Sequence, residues 1–321
     1  MNSKFDIIKA AKNSINNQGQ SILKLSDFVN EDFKETVELI NGIKGRVIIS
    51  GIGKSALIGT KIVATLNSTG TPAIFMHASE AVHGDLGIVQ KNDVVILISK
   101  SGNTPEIKNL IPFLKKIGVM IVAISGNKNS YLVKNSKYFL NSFIEKEACP
   151  NNLAPTTSTT AQLVIGDALS ICLSQIKGFK EKDFGKFHPG GSLGKKLHLK
   201  VKDLLNKNLK PQVDTNQNFN EIVNEISKKM LGATAVLKNN LAVGIITDGD
   251  LRRFFSKNID YNTIKAHDIM SSSPIKISSE ILASNALKLM NENKITQLIV
   301  EDNNTYTGII HLHNILNEGI S

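Results

Sequence analysis

The sequence predicts an α/β protein: a doubly wound, mostly parallel sheet over residues 1–200, followed by a tandem pair of α+β repeats over residues 201–260 and 261–321. Three observations predict it. Strand and helix signals alternate from Arg46 to about Leu173, the last third of the chain repeats itself, and two turns rich in Gly, Ser and Thr each join an apolar run to a helical pattern. At 321 residues, with 41% apolar and 5% aromatic content, the chain is long enough for two or three domains with sizeable cores.

Apolar positions three or four apart, among them Ile7, Ile8, Ile15, Ile22 and Leu25 and then Phe33, Val37 and Ile40, predict two helices within residues 4–43, packed across a neighbour or a second subunit. Short apolar runs predict strands at 47–49, 73–76, 94–98, 119–124 and 138–140. Helices are expected from Ser55, from Thr104 and, as a long element, from about Ser158. Pro72, Gly87, Pro105, Gly118 and Pro155 stand where turns or helix starts are needed. Beyond residue 200, Val201-Lys-Asp-Leu204 aligns with Ala266-His-Asp-Ile269 at an offset of 65, and Gly244-Ile-Ile-Thr247 aligns with Gly308-Ile-Ile-His311 at an offset of 64. Each unit reads as helix, strand, turn, strand and helix, and cannot bury both faces alone, so the pair is expected to pack together.

The net charge of +10 is carried by the first part: residues 1–200 hold 25 Lys and Arg against 15 Asp and Glu, and residues 201–321 hold 13 of each. A basic half suits an anionic substrate. No helix-turn-helix pattern, zinc spacing or basic run interleaved with aromatics points to nucleic acid. With two cysteines, Cys149 and Cys172, and neither a cationic signal segment nor eighteen consecutive apolar residues, the chain is expected in a reducing cytoplasm, without disulfide or membrane contact. Both cysteines are expected as small buried filler.

Residues 50–55 (Ser-Gly-Ile-Gly-Lys-Ser) and 99–106 (Ser-Lys-Ser-Gly-Asn-Thr-Pro-Glu) fall at the carboxyl ends of expected strands, where parallel sheets hold ligands. Backbone N–H groups, hydroxyls and a helix dipole there would hold a phosphate. The first loop fits Gly-x-Gly-x-x-Ala, yet the strand after it leads to His77-Ala-Ser-Glu80 rather than to an acid placed for a ribose. It also ends like a P-loop, but Ile48 stands where the first P-loop glycine belongs. A small phosphorylated metabolite fits better than a nucleotide. The simpler alternative for the second loop is a helix N-cap by Asn103 or Thr104.

Five segments carry a family resemblance: residues 50–55, Glu80-Ala-Val-His-Gly-Asp-Leu-Gly87, residues 99–106, Glu147-Ala-Cys-Pro150 with Leu153-Ala-Pro-Thr-Thr-Ser158, and His188-Pro-Gly-Gly-Ser-Leu-Gly194. The first 200 residues resemble a SIS (sugar isomerase) domain and the repeats resemble a tandem of CBS domains. With that order of modules, nearly the whole chain is similar to the D-arabinose-5-phosphate isomerases. The resemblance implies reversible conversion of D-ribulose 5-phosphate to D-arabinose 5-phosphate through an enediol, with no metal or other required cofactor, in supply of Kdo for lipopolysaccharide. It also implies a homotetramer with sites built from several subunits.

In the family's pattern Lys54, Glu106, Glu147 and His188 take the catalytic positions and His83 a further active-site position. Ser99, Ser101 and Thr104, with the backbone around Gly102 and Asn103, hold the phosphate, assisted by Ser55. Glu147 is the preferred base, because burial can raise a carboxylate toward the working pH. Glu145 is a fallback on the same side of an extended segment. Glu106 in a first helical turn can instead serve the dipole, and His188 and His83 can be loop residues. Thr247 and Asp250 match the positions at which CBS domains hold a nucleotide's ribose and phosphate. His311 and Asn314 stand there in the second repeat, which leaves at most one nucleotide site, or a structural role for the pair. Two other functions stay open: isomerisation of a different sugar phosphate, and a non-catalytic sugar-phosphate sensor, which would call for a DNA-binding module.

Overall fold

Unbroken runs of Val and Ile suit strands covered on both faces, and here they form the centre of a parallel sheet. The computed structural model describes residues 5–206, 209–256 and 261–321. Helices α1 (Ile7–Leu23) and α2 (Glu31–Gly42) lead to β1 (Val47–Gly51), α3 (Lys54–Ser68), β2 (Ala73–His77) and the short α4 (Ala78–Ala81). Then come β3 (Val94–Ile98), α5 (Pro105–Ile117), β4 (Met120–Ser125), α6 (Tyr131–Lys134), β5 (Tyr138–Asn141) and the 20-residue α7 (Thr157–Ile176). The strands pair in parallel in the order β2-β1-β3-β4-β5. The expected strands are present, with ends displaced by one or two residues.

Alternate strand residues serve opposite faces. Ile48, Val95 and Leu97 pack on Ile107, Leu110 and Leu114 of α5, whereas Ile49, Ile96 and Ile98 pack with α2, α3 and α7. A Cβ on Gly166 of α7 would lie 2.3 Å from Ile62 of α3, so glycine permits that helix pair its close approach. Helix α1 buries none of its residues. It touches α7 through Thr160 Oγ1, which donates to Gln18 at 3.2 Å.

The chain divides into two compact units that meet between Lys180 and Glu181, twenty residues ahead of the expected boundary at 200. The intervening helices α8 (Glu181–Phe187) and α9 (Ser192–His198) go with the second unit. There Lys195 pairs with Glu318 at 2.7 Å and Ser284 Oγ donates to the Lys196 carbonyl at 2.9 Å.

The repeats follow. The first holds α10 (Val201–Leu204), β6 (Gln212–Asp214), α11 (Phe219–Lys229), β7 (Ala233–Lys238), β8 (Leu241–Thr247) and α12 (Asp248–Phe255). The second holds α13 (Ala266–Ile269), β9 (Lys276–Ile277), α14 (Ala283–Asn293), β10 (Gln297–Asp302), β11 (Thr305–His311) and α15 (Leu312–Leu316). The expected boundary at 260 lies outside the described residues. Each repeat carries a three-stranded sheet, and each hairpin slips register at the same place, Val236/Leu237 and Val300/Glu301. Each turns through two asparagines at positive φ, Asn239-Asn240 and Asn303-Asn304, a conformation that a tight hairpin needs and Asn tolerates. The repeats bury a common core, with Ala233, Ala235 and Ala242 against Ile299, Tyr306 and Ile309. Among the described residues no helix is long and apolar enough to cross a membrane.

Candidate functional site

Strand order reverses between β1 and β3, so the loops after them open on one crevice. Backbone geometry demands the glycines there. Gly53 has φ +59°, and a Cβ on Gly51 would lie 3.2–3.3 Å from the backbone of Ser55, Ala56 and Ile98. Gly102 has φ +64°, and a Cβ there would lie 2.1 Å from Ser130 Oγ. The Gly102 N–H donates to Ser99 Oγ at 3.0 Å, and Ser99 Oγ meets Thr104 Oγ1 at 2.7 Å. Thr104 is the N-cap residue of α5, yet its hydroxyl does not cap that helix. A plain N-cap therefore does not account for the loop.

Three helices, α3, α5 and α7, direct their N-termini at a cavity of about 270 Å³ lined by Lys54, Ser55, Ser99, Lys100, Ser101, Thr104, Ser158, Thr159 and Gln162. The unpaired N–H groups and positive dipole ends there favour an anion. Lys54 and Lys100 add charge, and six hydroxyls add donors. A cavity of about 390 Å³ in the second unit is faced by Asp214, Glu221 and Glu225, which would repel a phosphate. One of about 420 Å³ is lined by Phe28 and Phe143 with Asn127, Lys128, Asn129 and Asn141, and among the described residues no helix of eight or more residues starts at it.

Glu147 is buried, its side chain fully so. Its Oε1 accepts from Lys100 Nζ at 2.6 Å and Ser158 Oγ at 2.5 Å, and its Oε2 from the N–H groups of Thr156 (2.9 Å) and Ser158 (3.1 Å) and from Thr156 Oγ1 (3.2 Å). Burial pushes the carboxyl up, but the Lys100 ammonium, the Ser158 hydroxyl and the two backbone donors prevail and hold it at about 2. The expected rise toward the working pH is therefore reversed. Burial alone suggested that rise, and donors from distant parts of the chain overturn it. Glu145 is no companion to it: the segment is not a strand, and Glu145 pairs with Lys24 at 2.6 Å on the surface.

The other expected residues separate into two groups. Lys54, Ser55, Ser99, Ser101 and Thr104 line the cavity. Ser55 Oγ donates to the buried Gln162 at 3.1 Å, and Ser101 Oγ accepts from the Asn103 N–H at 3.2 Å. Asn103 turns its own side chain to Tyr131 N and Ser101 O, which steadies the loop. Glu106 is half-buried in the first turn of α5. His83 is exposed on the turn after α4 and does not line the cavity. His188 belongs to the second unit, stacked on Phe184 with ring centroids 3.8 Å apart and Nδ1 2.9 Å from the Phe184 carbonyl oxygen.

In the repeats, Thr247 and Asp250 bond to each other across the first turn of α12, Thr247 Oγ1 to Asp250 Oδ2 at 2.7 Å, and Arg253 pairs with Asp250. His311 stacks on His313, and burial, then the His313 charge, lowers its pKa. Both cysteines were expected as buried filler and both are half-buried, Cys172 packed against the edge of the first core and Cys149 outside it. The backbone N–H groups of Ala154, then Leu153 and Asn151, lower the Cys149 thiol pKa. Lys100, Ser158 and Gln162 were not expected as site residues. Lys100 sits inside the phosphate motif, and the spacing of Ser158 and Gln162 on one face of α7 was the signal for that pair.

A SIS domain model matches residues 40–172 and a CBS domain model matches residues 266–320. The chain is 41% identical to the arabinose 5-phosphate isomerase KdsD of Yersinia pestis, over 98% of this chain and 97% of that protein. It is 46% identical to the KdsD of Francisella tularensis, over 92% of each. Among solved structures, the Escherichia coli CFT073 protein in complex with arabinose 5-phosphate aligns at a TM-score of 0.56 and 39% identity, covering 58% of this chain and all of that one.

The Glu147 anchor has a measurable pH signature. Its folded pKa is depressed from 4.5 to about 2. Its stabilisation is therefore fully present above pH 4.5 and fades as pH falls toward 2. Glu147→Gln is expected to cost on the order of 2 kcal/mol at pH 7, discounting for the half-exposed Lys100. Urea unfolding at pH 7 and pH 3.5 should show that difference narrowing at the lower pH.

Proposed function

The chain belongs to the arabinose 5-phosphate isomerase family, and we propose on that footing how its cradle interconverts D-ribulose 5-phosphate and D-arabinose 5-phosphate. The observation that carries the proposal is the convergence of three helix N-termini, six hydroxyls and two ammonium groups on one small cavity. Ser99, Ser101 and Thr104, with the N–H groups of Gly102 and Asn103, take the phosphate, and Ser55 assists. Lys54, at the first position of α3, places a point charge for the enediolate oxygen.

A carboxylate removes a proton from C1 of the ketose; the C–H electron pair becomes the C1–C2 double bond while the C2=O π pair moves to O2, which takes up a proton to give the enediol. Loss of the O1 proton then forms the C1=O bond, and the double-bond pair takes a proton at C2 to give the aldose. Glu147 is proposed as that base, since it is ionised at every working pH; Glu106 is the alternative. Opening of the cyclic aldose is the step left to His188, and His83 keeps its place as a residue supplied across a subunit contact. A homotetramer fits the exposed apolar side chains of α1, Ile7, Ile8, Ile15 and Leu23. Supply of Kdo for lipopolysaccharide and a cytoplasmic location complete the proposal, the latter in keeping with two unpaired cysteines.

Incubation with D-ribulose 5-phosphate in deuterated water, followed by NMR, should give arabinose 5-phosphate deuterated at C2. Conversion of ribose 5-phosphate or a six-carbon sugar phosphate in its place would overturn the substrate assignment. For the repeats we propose a single nucleotide site at Thr247 and Asp250. Calorimetric titration with adenine and cytidine nucleotides should give one site per chain, lost in Asp250→Ala; absence of heat with every nucleotide would leave the pair a structural role.

A further inference from the structure

The base assigned above is shielded from the cavity it should serve. Glu147 does not line that cavity; Lys100 and Ser158 do, and both bond Glu147 Oε1, at 2.6 and 2.5 Å. Ser158 is fixed in the first turn of α7 and buried. Lys100 is the opposite case. Its side chain is 48% exposed, it hangs on a flexible four-carbon stem with three rotatable donors, and its backbone lies between Ser99 and Ser101 within the phosphate loop.

We propose that Lys100 is a positioning residue that couples phosphate binding to the base: the phosphate dianion at the Ser99–Thr104 loop recruits its ammonium, and Glu147 Oε1 is thereby opened to the cavity. This rests on the isomerase assignment above. A dianion attracts the ammonium more strongly than a single carboxylate does. After the exchange Glu147 keeps its four neutral donors from Thr156 and Ser158. Of the charged groups around Glu147, Lys100 reaches it from the β3–α5 loop, and the start of α7 contributes only hydroxyl and N–H donors. On its own segment Glu145 is engaged with Lys24, Lys146 is exposed, and Cys149 is a half-buried free thiol. Loss of the Lys100 contact removes the largest opponent of burial, so the carboxylate becomes more basic when substrate is seated. The proton balance closes: the carboxylate accepts the carbon-bound proton, that proton exchanges with solvent while the enediol stands, and the carboxyl returns one proton to the neighbouring carbon.

The test is Lys100→Met beside Lys100→Arg. In Lys100→Met, KM should rise about tenfold or more, the loss expected for a hydrogen bond to a charged group, while kcat stays within about threefold. The wild-type acid limb of kcat/KM, which reports the free enzyme, should lie at lower pH than that of kcat, and in Lys100→Met the two should coincide. Lys100→Arg should restore KM. An unchanged KM in Lys100→Met, or an unmoved acid limb, overturns the proposal. Calorimetry with inorganic phosphate provides an arm independent of turnover. Wild-type protein that binds phosphate yet leaves ribulose 5-phosphate unchanged overturns the isomerase assignment, whereas Lys100→Met binding phosphate as tightly as wild type overturns the role of Lys100.

Discussion

A carboxylate taken out of water must be matched by donors, and in this protein that requirement falls on Glu147. Removing a buried ion from solvent costs several kcal/mol, more than any surface pair returns. Five donors meet the cost, from the β3–α5 loop and from the start of α7. Satisfying one side chain thus ties the phosphate loop to the helix that closes the far wall of the cavity. Glu145, two residues away, has the same chemistry but is exposed against Lys24, and nothing else depends on it.

The same requirement explains why the loop between β5 and α7 takes its path. Asn152 Oδ1 accepts from the Glu147 N–H at 2.7 Å, and Thr156 and Thr157 hydroxyls accept from the Ala148 N–H at 3.0 Å. Polar groups left without partners here would each carry a desolvation penalty. Ser, Thr and Asn in that stretch supply the partners, and the N-terminus of α7 is thereby aimed at the cavity.

Much of the fold was legible because local pattern and global position agree. The runs at 47–49 and 94–98 are buried on both faces, so continuous apolarity identified them, and the Gly-Ile-Ile strands of the repeats recur 64 residues apart because each repeat solves the same packing problem. The unit boundary was not legible. Helices α8 and α9 carry segments that resemble the first domain's family pattern, while their contacts, Lys195 with Glu318 and Lys196 with Ser284, reach residues far along the chain. In the site, the phosphate loop was legible from its Ser, Gly and Thr pattern, since a loop carries its own chemistry in sequence. The state of Glu147 was not, because the ammonium that decides it comes from 47 residues upstream and the helix start that completes it lies 9 to 11 residues downstream.

Lys100 and the start of α7 together hold Glu147 as an ionised carboxylate. Carbon-13 labelling of the glutamate side chains, with Glu147→Gln to identify the resonance, would follow its titration directly. The resonance should stay ionised from pH 7 down to about pH 3, below the range in which an ordinary glutamate titrates. A midpoint near 4.5 or above, with no phosphate added, would contradict this.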